Sequence, residues 1–271
     1  MRRLLIRPGA MGDFIVWLPA AEHLLEGGGE IWCAGSNRDL AAHLAPARAI
    51  EGSGLDLLEL PGAAVPEPLL ARLKSFGEIV SWYGTARAEF RDALARPGVP
   101  ARFFPALPGG GCPVHAADFY LDQAGAAPGA VPRIPVTPVD GSYAVIHPFS
   151  GSPRKNWPLE NFHETARLLA ARIDVKWCAG PDEPLDGAHR FPRLAGLASF
   201  LAGAAVHIGN DSGPSHLAAA VGAPVIAMFG PTDPLVWAPR GRAPVITLPF
   251  DASPAAVAEA ALRVGIRRQS G

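Results

Sequence analysis

Short apolar runs alternate with helix-spaced stretches along most of this chain. Arg3–Arg7 reads as a strand, and a Gly-containing turn, Pro8–Gly12, follows it. From about Asp13 onward Ile15, Leu18, Ala21, Leu24 and Leu25 recur near helical spacing, until Gly27–Gly29 ends the run. Recurrence at three and four residues puts such side chains on one face of a helix. Glu30–Cys33, Leu57–Leu60 and Glu78–Trp82 are further strand candidates, while 86–113, rich in Arg, Pro and Gly, supports no assignment. Beyond residue 141 the alternation resumes. Strands are expected at Tyr143–His147, Val175–Ala179, Ala205–Ile208, Pro224–Met228 and Val245–Leu248, with helices at Pro158–Arg172, Leu194–Leu201, Pro214–Val221 and Ala255–Val264.

Short strands alternating with helices predict parallel sheets covered on both faces. Between the two series Pro128, Pro132, Pro135 and Pro138 hold the chain extended and deny it a helix. The reading is α/β: two Rossmann-like parallel-sheet domains facing a cleft, at 1–127 and 142–271, joined by a Pro-rich linker at 128–141. A chain of 271 residues with 49% hydrophobic content can build both cores.

Charge narrows the partners. A net charge of -1 leaves no electrostatic footprint for nucleic acid, so a polyphosphate would need local cations. Lys74, Lys155 and Lys176 are the only lysines. Cys33, Cys112 and Cys178 are odd in number and far apart, which suggests neither a disulfide framework nor a zinc site, and a reducing compartment. The start MRRLLIRPGAMGDFIVWLPAA imitates a secretory signal, but Arg7 and Asp13 interrupt its apolar segment. Ala218–Gly230 is too short to span a bilayer. The expected location is cytoplasmic, with a peripheral place at the inner membrane face as its extension.

In open parallel sheets ligands sit beyond the carboxyl ends of the strands, and three turns there are loaded with polar groups. In RPGAMGDF, Gly9 and Gly12 permit close backbone approach, and Asp13 starts a helix either as an ordinary N-cap or as a proton acceptor. In HPFSGSPRKNWP, Ser150, Gly151, Ser152, Arg154 and Lys155 precede a helix, either as a phosphate-binding loop or as a solvated basic loop capped by Asn156. In GNDSGPSH, Asp211, Ser212, Gly213 and His216 cluster around the first turn of a helix. Each alone fits a capped turn with Asp211 or Ser212 as the cap, but the set fits an oxyanion site better. FGPTDP at 229–234 adds another polar turn at that edge. No P-loop, G-x-S-x-G, HExxH or Asp-x-Asp pair occurs, so no metal site is expected.

These three segments, in this order and spanning residues 3–237, resemble glycosyltransferase family 9, the heptosyltransferases of the lipopolysaccharide inner core. The resemblance implies a GT-B fold and inverting, metal-independent transfer of a heptose from an ADP-activated donor to a lipopolysaccharide-core or other saccharide acceptor. It makes Asp13 the general base and Lys155 the basic residue facing the donor phosphates. Asp211, Ser212, Gly213 and His216 fall in the donor site. Glu183, in AGPDEP, is similar to the acid that binds the nucleotide ribose, with Asp182 the alternative if the register slips by one. Two other readings remain: a non-catalytic nucleotide-sugar-binding relative, and a GT-B-like nucleotide-sugar hydrolase or epimerase. Arg87, Arg91, Arg96 and Arg102 read either as a patch for a phosphorylated acceptor or as a solvated helix face.

Overall fold

The computed structural model describes residues 1–60, 65–96 and 98–269. Contacts divide the chain into two compact units, one formed by 1–111 with 117–130 and the other by 112–116 with 131–271.

The first unit carries β1 (Arg3–Arg7), α1 (Met11–Leu24), β2 (Gly29–Cys33), α2 (Arg38–Ala41), β3 (Ala47–Ala49), α3 (Glu67–Lys74), β4 (Glu78–Ser81), α4 (Ala88–Ala95) and β5 (Ala101–Phe103). Helix α5 (Ala116–Ala124) follows. The strands form one parallel sheet in the order β3-β2-β1-β4-β5. Leu4, Leu5 and Ile6 of the central β1 are wholly buried, as a strand covered on both faces requires. Leu57–Leu60, expected as a strand, instead falls largely in a 3₁₀ turn over Leu55–Glu59. Leu55 and Leu58, three residues apart, turn into the core together, and that spacing suits one turn of helix rather than alternation across a strand. The unassigned stretch 86–113 holds α4 and β5, with position 97 outside the described residues. Three of its arginines lie against the unit's own groups. Arg102 donates to Glu78 at 2.6 Å, Arg87 lies over the Tyr83 ring at 4.6 Å, and Arg91 lies over Phe103 at 5.4 Å.

The second unit carries β6 (Tyr143–His147), α6 (Leu159–Leu169), β7 (Asp174–Trp177), α7 (Leu194–Gly203), β8 (Val206–Asn210), α8 (Gly213–Ala220), β9 (Val225–Phe229), α9 (Pro234–Trp237), β10 (Val245–Pro249) and α10 (Pro254–Gln269). Its parallel sheet runs β10-β9-β8-β6-β7. Helix α6 shows why these stretches fold as they do. Phe162, Thr165 and Leu169 fall on one face and are buried, and Phe162 meets Trp157 edge-to-face at 5.0 Å. Burying one such side chain stabilises the fold by about 2–3 kcal/mol. The Pro-rich stretch runs without regular structure and is tied to this unit by Ile134 N–H to Ala220 O and Val139 N–H to Ser199 O, each 3.0 Å.

In each sheet the strand order reverses beside the first strand, between β1 and β4 and between β6 and β8. Ligands of open parallel sheets bind beyond the carboxyl ends of the strands at such points.

Candidate functional site

The turn after β8 is the densest polar cluster. Asp211 is buried and accepts from Lys155 Nζ at 2.8 Å and from Thr232 Oγ1 at 2.7 Å, both on Oδ2. His216 Nε2 lies 3.8 Å from Oδ1. Burial works against the Asp211 charge, but nearby His216 and the hydrogen bonds from Lys155 and Thr232 outweigh it and pull the carboxyl down to about 2. The acid, lysine and threonine come from three different turns: after β8, after β6 and after β9. Asn210 stitches two of them together. Its amide donates to Pro148 O at 2.8 Å, and its carbonyl accepts from the Trp157 N–H at 2.9 Å.

Ser212 occupies the N-cap position of α8 but makes no capping bond. Its buried Oγ, and Nδ1 of buried His216, have no hydrogen-bond partner among the described residues. Gly213 opens the helix, where an N–H has no intrahelical acceptor. The alternative in which Asp211 or Ser212 is simply a cap is not what the turn shows: the carboxylate is committed to a cation, and the hydroxyl makes no capping bond. Behind them His207 is fully buried, and burial together with the field of His147 lowers it to about 3, so it is neutral; its Nε2 lies 3.2 Å from Ser215 Oγ.

The loop after β6 splits the predicted set. Ser150 Oγ lies 2.8 Å from Ser152 O and 2.7 Å from Asn156 Oδ1, and it accepts from Ser152 N–H at 3.3 Å, so it shapes the loop itself. Gly151 and Arg154 are exposed, and Ser152 is half-buried. Lys155 alone reaches the cluster. Asn156 does not cap α6, because Pro158 holds the N-cap position; its side chain is engaged by Ser150. Glu183 falls in a second group. Its Oε2 accepts from Gly180 N–H at 2.5 Å and faces His147 Nε2 at 3.2 Å, whereas Asp182 is exposed.

In the first unit the turn after β1 carries Gly9 and Asp13. Gly9 adopts φ +119, a conformation L side chains avoid, and its carbonyl accepts from Asn37 Nδ2 at 3.0 Å. Gly12 does not shape this turn, because it lies inside the first turn of α1 and is not among the positive-φ glycines. Asp13 is not the N-cap either: Ala10 holds that position, and no side chain caps the helix. The Asp13 carboxylate accepts no hydrogen bond among the described residues. Beneath it Arg7 is buried, donating from Nη2 to the Tyr120 hydroxyl at 2.9 Å and to the Asp13 carbonyl at 3.3 Å. Burial, partly offset by Tyr120 and Asp13, holds Arg7 below its usual range.

Sequence reasoning passed over Arg7, Tyr120, His147, His207, Asn210 and Arg190. His147 and Asn210 end apolar strands at the switch point, and that placement was a usable signal. Burial pushes the Cys33 and Cys178 thiols up to about 12, so neither is a nucleophile near neutral pH. Among the described residues no group of three or more His, Cys, Asp or Glu gathers as a metal cluster. A cavity of about 710 Å³ lies at the amino ends of β6, β7 and β8, lined by Asp140, Arg172 and Asp174 among others; it is remote from these turns and brings together none of the residues above.

Two doubly wound parallel sheets, each with a polar turn at its reversal point, define an α/β protein of the GT-B type. The model of glycosyltransferase family 9 (heptosyltransferase) matches residues 116–262, more than half of the chain, and the chain belongs to that family. It is 37% identical over 112 residues to lipopolysaccharide heptosyltransferase 1 of Escherichia coli K12, a match covering 35% of this chain and 34% of that protein. The matched stretch thus spans about a third of the length of this relative. Solved structures agree in fold across the whole chain. E. coli ADP-heptose lps heptosyltransferase II superposes with a TM-score of 0.76 at 15% identity, covering 99% of this chain and 100% of that one. E. coli heptosyltransferase WaaC with ADP gives 0.64 at 21% identity, covering 99% of each. No helix among the described residues is long and apolar enough to cross a membrane.

Proposed function

We propose that this chain transfers a heptose, or a related sugar, from an ADP-activated donor to a lipopolysaccharide-core or other saccharide acceptor, with inversion and without a metal ion. The observation that carries the reading is the turn after β8. There Asp211 holds the cation of Lys155, and the uncommitted Ser212 hydroxyl, His216 and the first amide of α8 belong to the same turn. Amides at a helix start, a hydroxyl and a fixed cation suit a diphosphate, and they stabilise the charge that grows on a departing nucleoside diphosphate. In this reading Asp211 holds Lys155 and His216 in position, and Glu183 takes a ribose hydroxyl. Asp13 removes the proton of the acceptor hydroxyl as that oxygen attacks the sugar carbon from the face opposite ADP. Lipopolysaccharide heptosyltransferase 1 and the ADP-bound heptosyltransferase support this choice of donor and acceptor. The work would then be done on the cytoplasmic side, at the membrane face where such acceptors are displayed.

The test is incubation with ADP-heptose, a truncated lipopolysaccharide acceptor and EDTA. Acceptor-dependent release of ADP with formation of an extended saccharide supports the reading. ADP release that ignores the acceptor would replace transfer with hydrolysis.

A further inference from the structure

His147 ends β6 and is buried, with both ring nitrogens in contact. Nδ1 lies 3.1 Å from Phe149 O, and Nε2 lies 3.2 Å from Glu183 Oε2. A carbonyl oxygen and a carboxylate oxygen only accept, so each contact needs a hydrogen on the nitrogen. A neutral imidazole carries one such hydrogen and would turn a lone pair toward one of the two oxygens. Both contacts are satisfied together only by the imidazolium.

The carboxylate is built into the same place from its other side. Gly180 N–H donates to Oε2, and a Cβ on Gly180 would come within 3.2 Å of that oxygen and of the carboxyl carbon. Arg190 clamps the loop that carries Glu183. Its guanidinium donates to Gly180 O and, at 2.7 and 3.0 Å, to Glu183 O and Leu185 O. Among the described residues Glu183 Oε1 is left without a hydrogen-bond partner, on a side chain 28% exposed. A loop so pinned presents one free carboxylate oxygen in a fixed direction.

We infer that His147 is a positioning residue: as an imidazolium it fixes the Glu183 carboxylate so that Oε1 is free to accept from a vicinal hydroxyl of the donor nucleotide's sugar. The second half rests on the transferase reading; the ion pair does not. The groups facing the pair agree with it. His207 on β8 is neutral, the Cys178 thiol beyond β7 is protonated, and Arg190 lies on the Glu183 side, where it favours the carboxylate. Burial works against the Glu183 charge, yet His147 and the Gly180 amide hold its carboxyl below the usual range.

Nitrogen-15 NMR of the histidine rings in the intact, unliganded protein tests the pair directly. At pH 7 His147 should show both nitrogens protonated, and Glu183→Gln should remove that signature. A neutral His147 ring in the unsubstituted protein overturns the inference, whatever the nucleotide does. ADP affinity, measured by calorimetry at one pH, tests the consequence. It should fall several-fold in His147→Ala and recover in His147→Gln, whose amide can still donate to Glu183 Oε2. An affinity that His147→Ala leaves unchanged overturns the positioning role. Gly180→Ala, which displaces the carboxylate without changing charge, should weaken ADP to a similar extent. If the NMR pair is present but Glu183→Gln leaves ADP affinity unchanged, the assignment of Glu183 to the donor falls and the ion pair stands.

Discussion

Asp13 follows β1 and Asp211 follows β8, each a strand bordering the reversal point of its sheet, and each lies at the beginning of a helix. Both stand where a strand at the carboxyl edge of a sheet gives way to a helix. Their surroundings make them opposites. Asp211 is buried, accepts from a lysine and a threonine, and is held ionised down to about pH 2. Asp13 is half-buried, caps nothing and accepts no hydrogen bond among the described residues. A carboxylate already satisfied by partners organises those partners, whereas one with free lone pairs can take a proton from a substrate hydroxyl. The contrast fits the division of work proposed above: proton acceptance in the first unit, and positioning of cationic and hydrogen-bonding groups in the second.

The contrast breaks most visibly at Asp13. Replacing it by Asn keeps the shape and removes the proton acceptor, so turnover should fall by about a thousandfold, the range expected for loss of a general base. Donor affinity, read by calorimetry with an ADP-sugar, should hold. Transfer at a near-normal rate in Asp13→Asn would sink the division of labour. A parallel loss of donor affinity would mean that Asp13 faces the donor.

How much of this could be read along the chain depends on whether a feature is local. The turns around Asp13, Lys155 and Asp211 were legible, because Gly, Ser, Asp and His crowded between apolar strands have few structural uses. Their internal wiring was not. Lys155 and Asp211 are 56 positions apart, and nothing short of the sheet order brings the ends of β6 and β8 together. Capping stayed open at Asp13 and Asn156 for a related reason: the side-chain chemistry suits a cap, but whether it caps depends on which residue the backbone turns at. Ala10 and Pro158 won those positions. Strands β3 and β5, three residues each, are too short to show a period, and the partly exposed Ala47–Ala49 has no apolar run to betray it.

A middle-sized effect probes the other acid. The folded value of Asp211 lies below its unfolded value, so its contribution to stability is complete above about pH 4 and is lost as the pH falls toward 2. The shift corresponds to about 2 kcal/mol. Urea unfolding across that window should show the loss, and Asp211→Asn should remove this part of the slope. Lys155→Met, which takes away one of the stabilising partners, should shrink it. A slope of the same size in Asp211→Asn would show that the carboxylate is not the anchor of the cluster.

The smallest effect sharpens the first unit's side of the comparison at Gly12. A glycine inside the first turn of α1, outside the positive-φ set, has no conformational need to be glycine. Helix propensity favours alanine there by up to about 1 kcal/mol, partly through the unfolded chain. Gly12→Ala should therefore raise the melting temperature slightly. Turnover decides what the glycine is for. If the backbone beside Asp13 must approach the acceptor closely, a methyl group in that place will raise the acceptor KM while leaving the donor KM alone. If both constants stay put, Gly9, with its left-handed backbone, is sufficient to open the turn, and the carboxylate of Asp13 meets its substrate without help from its neighbour.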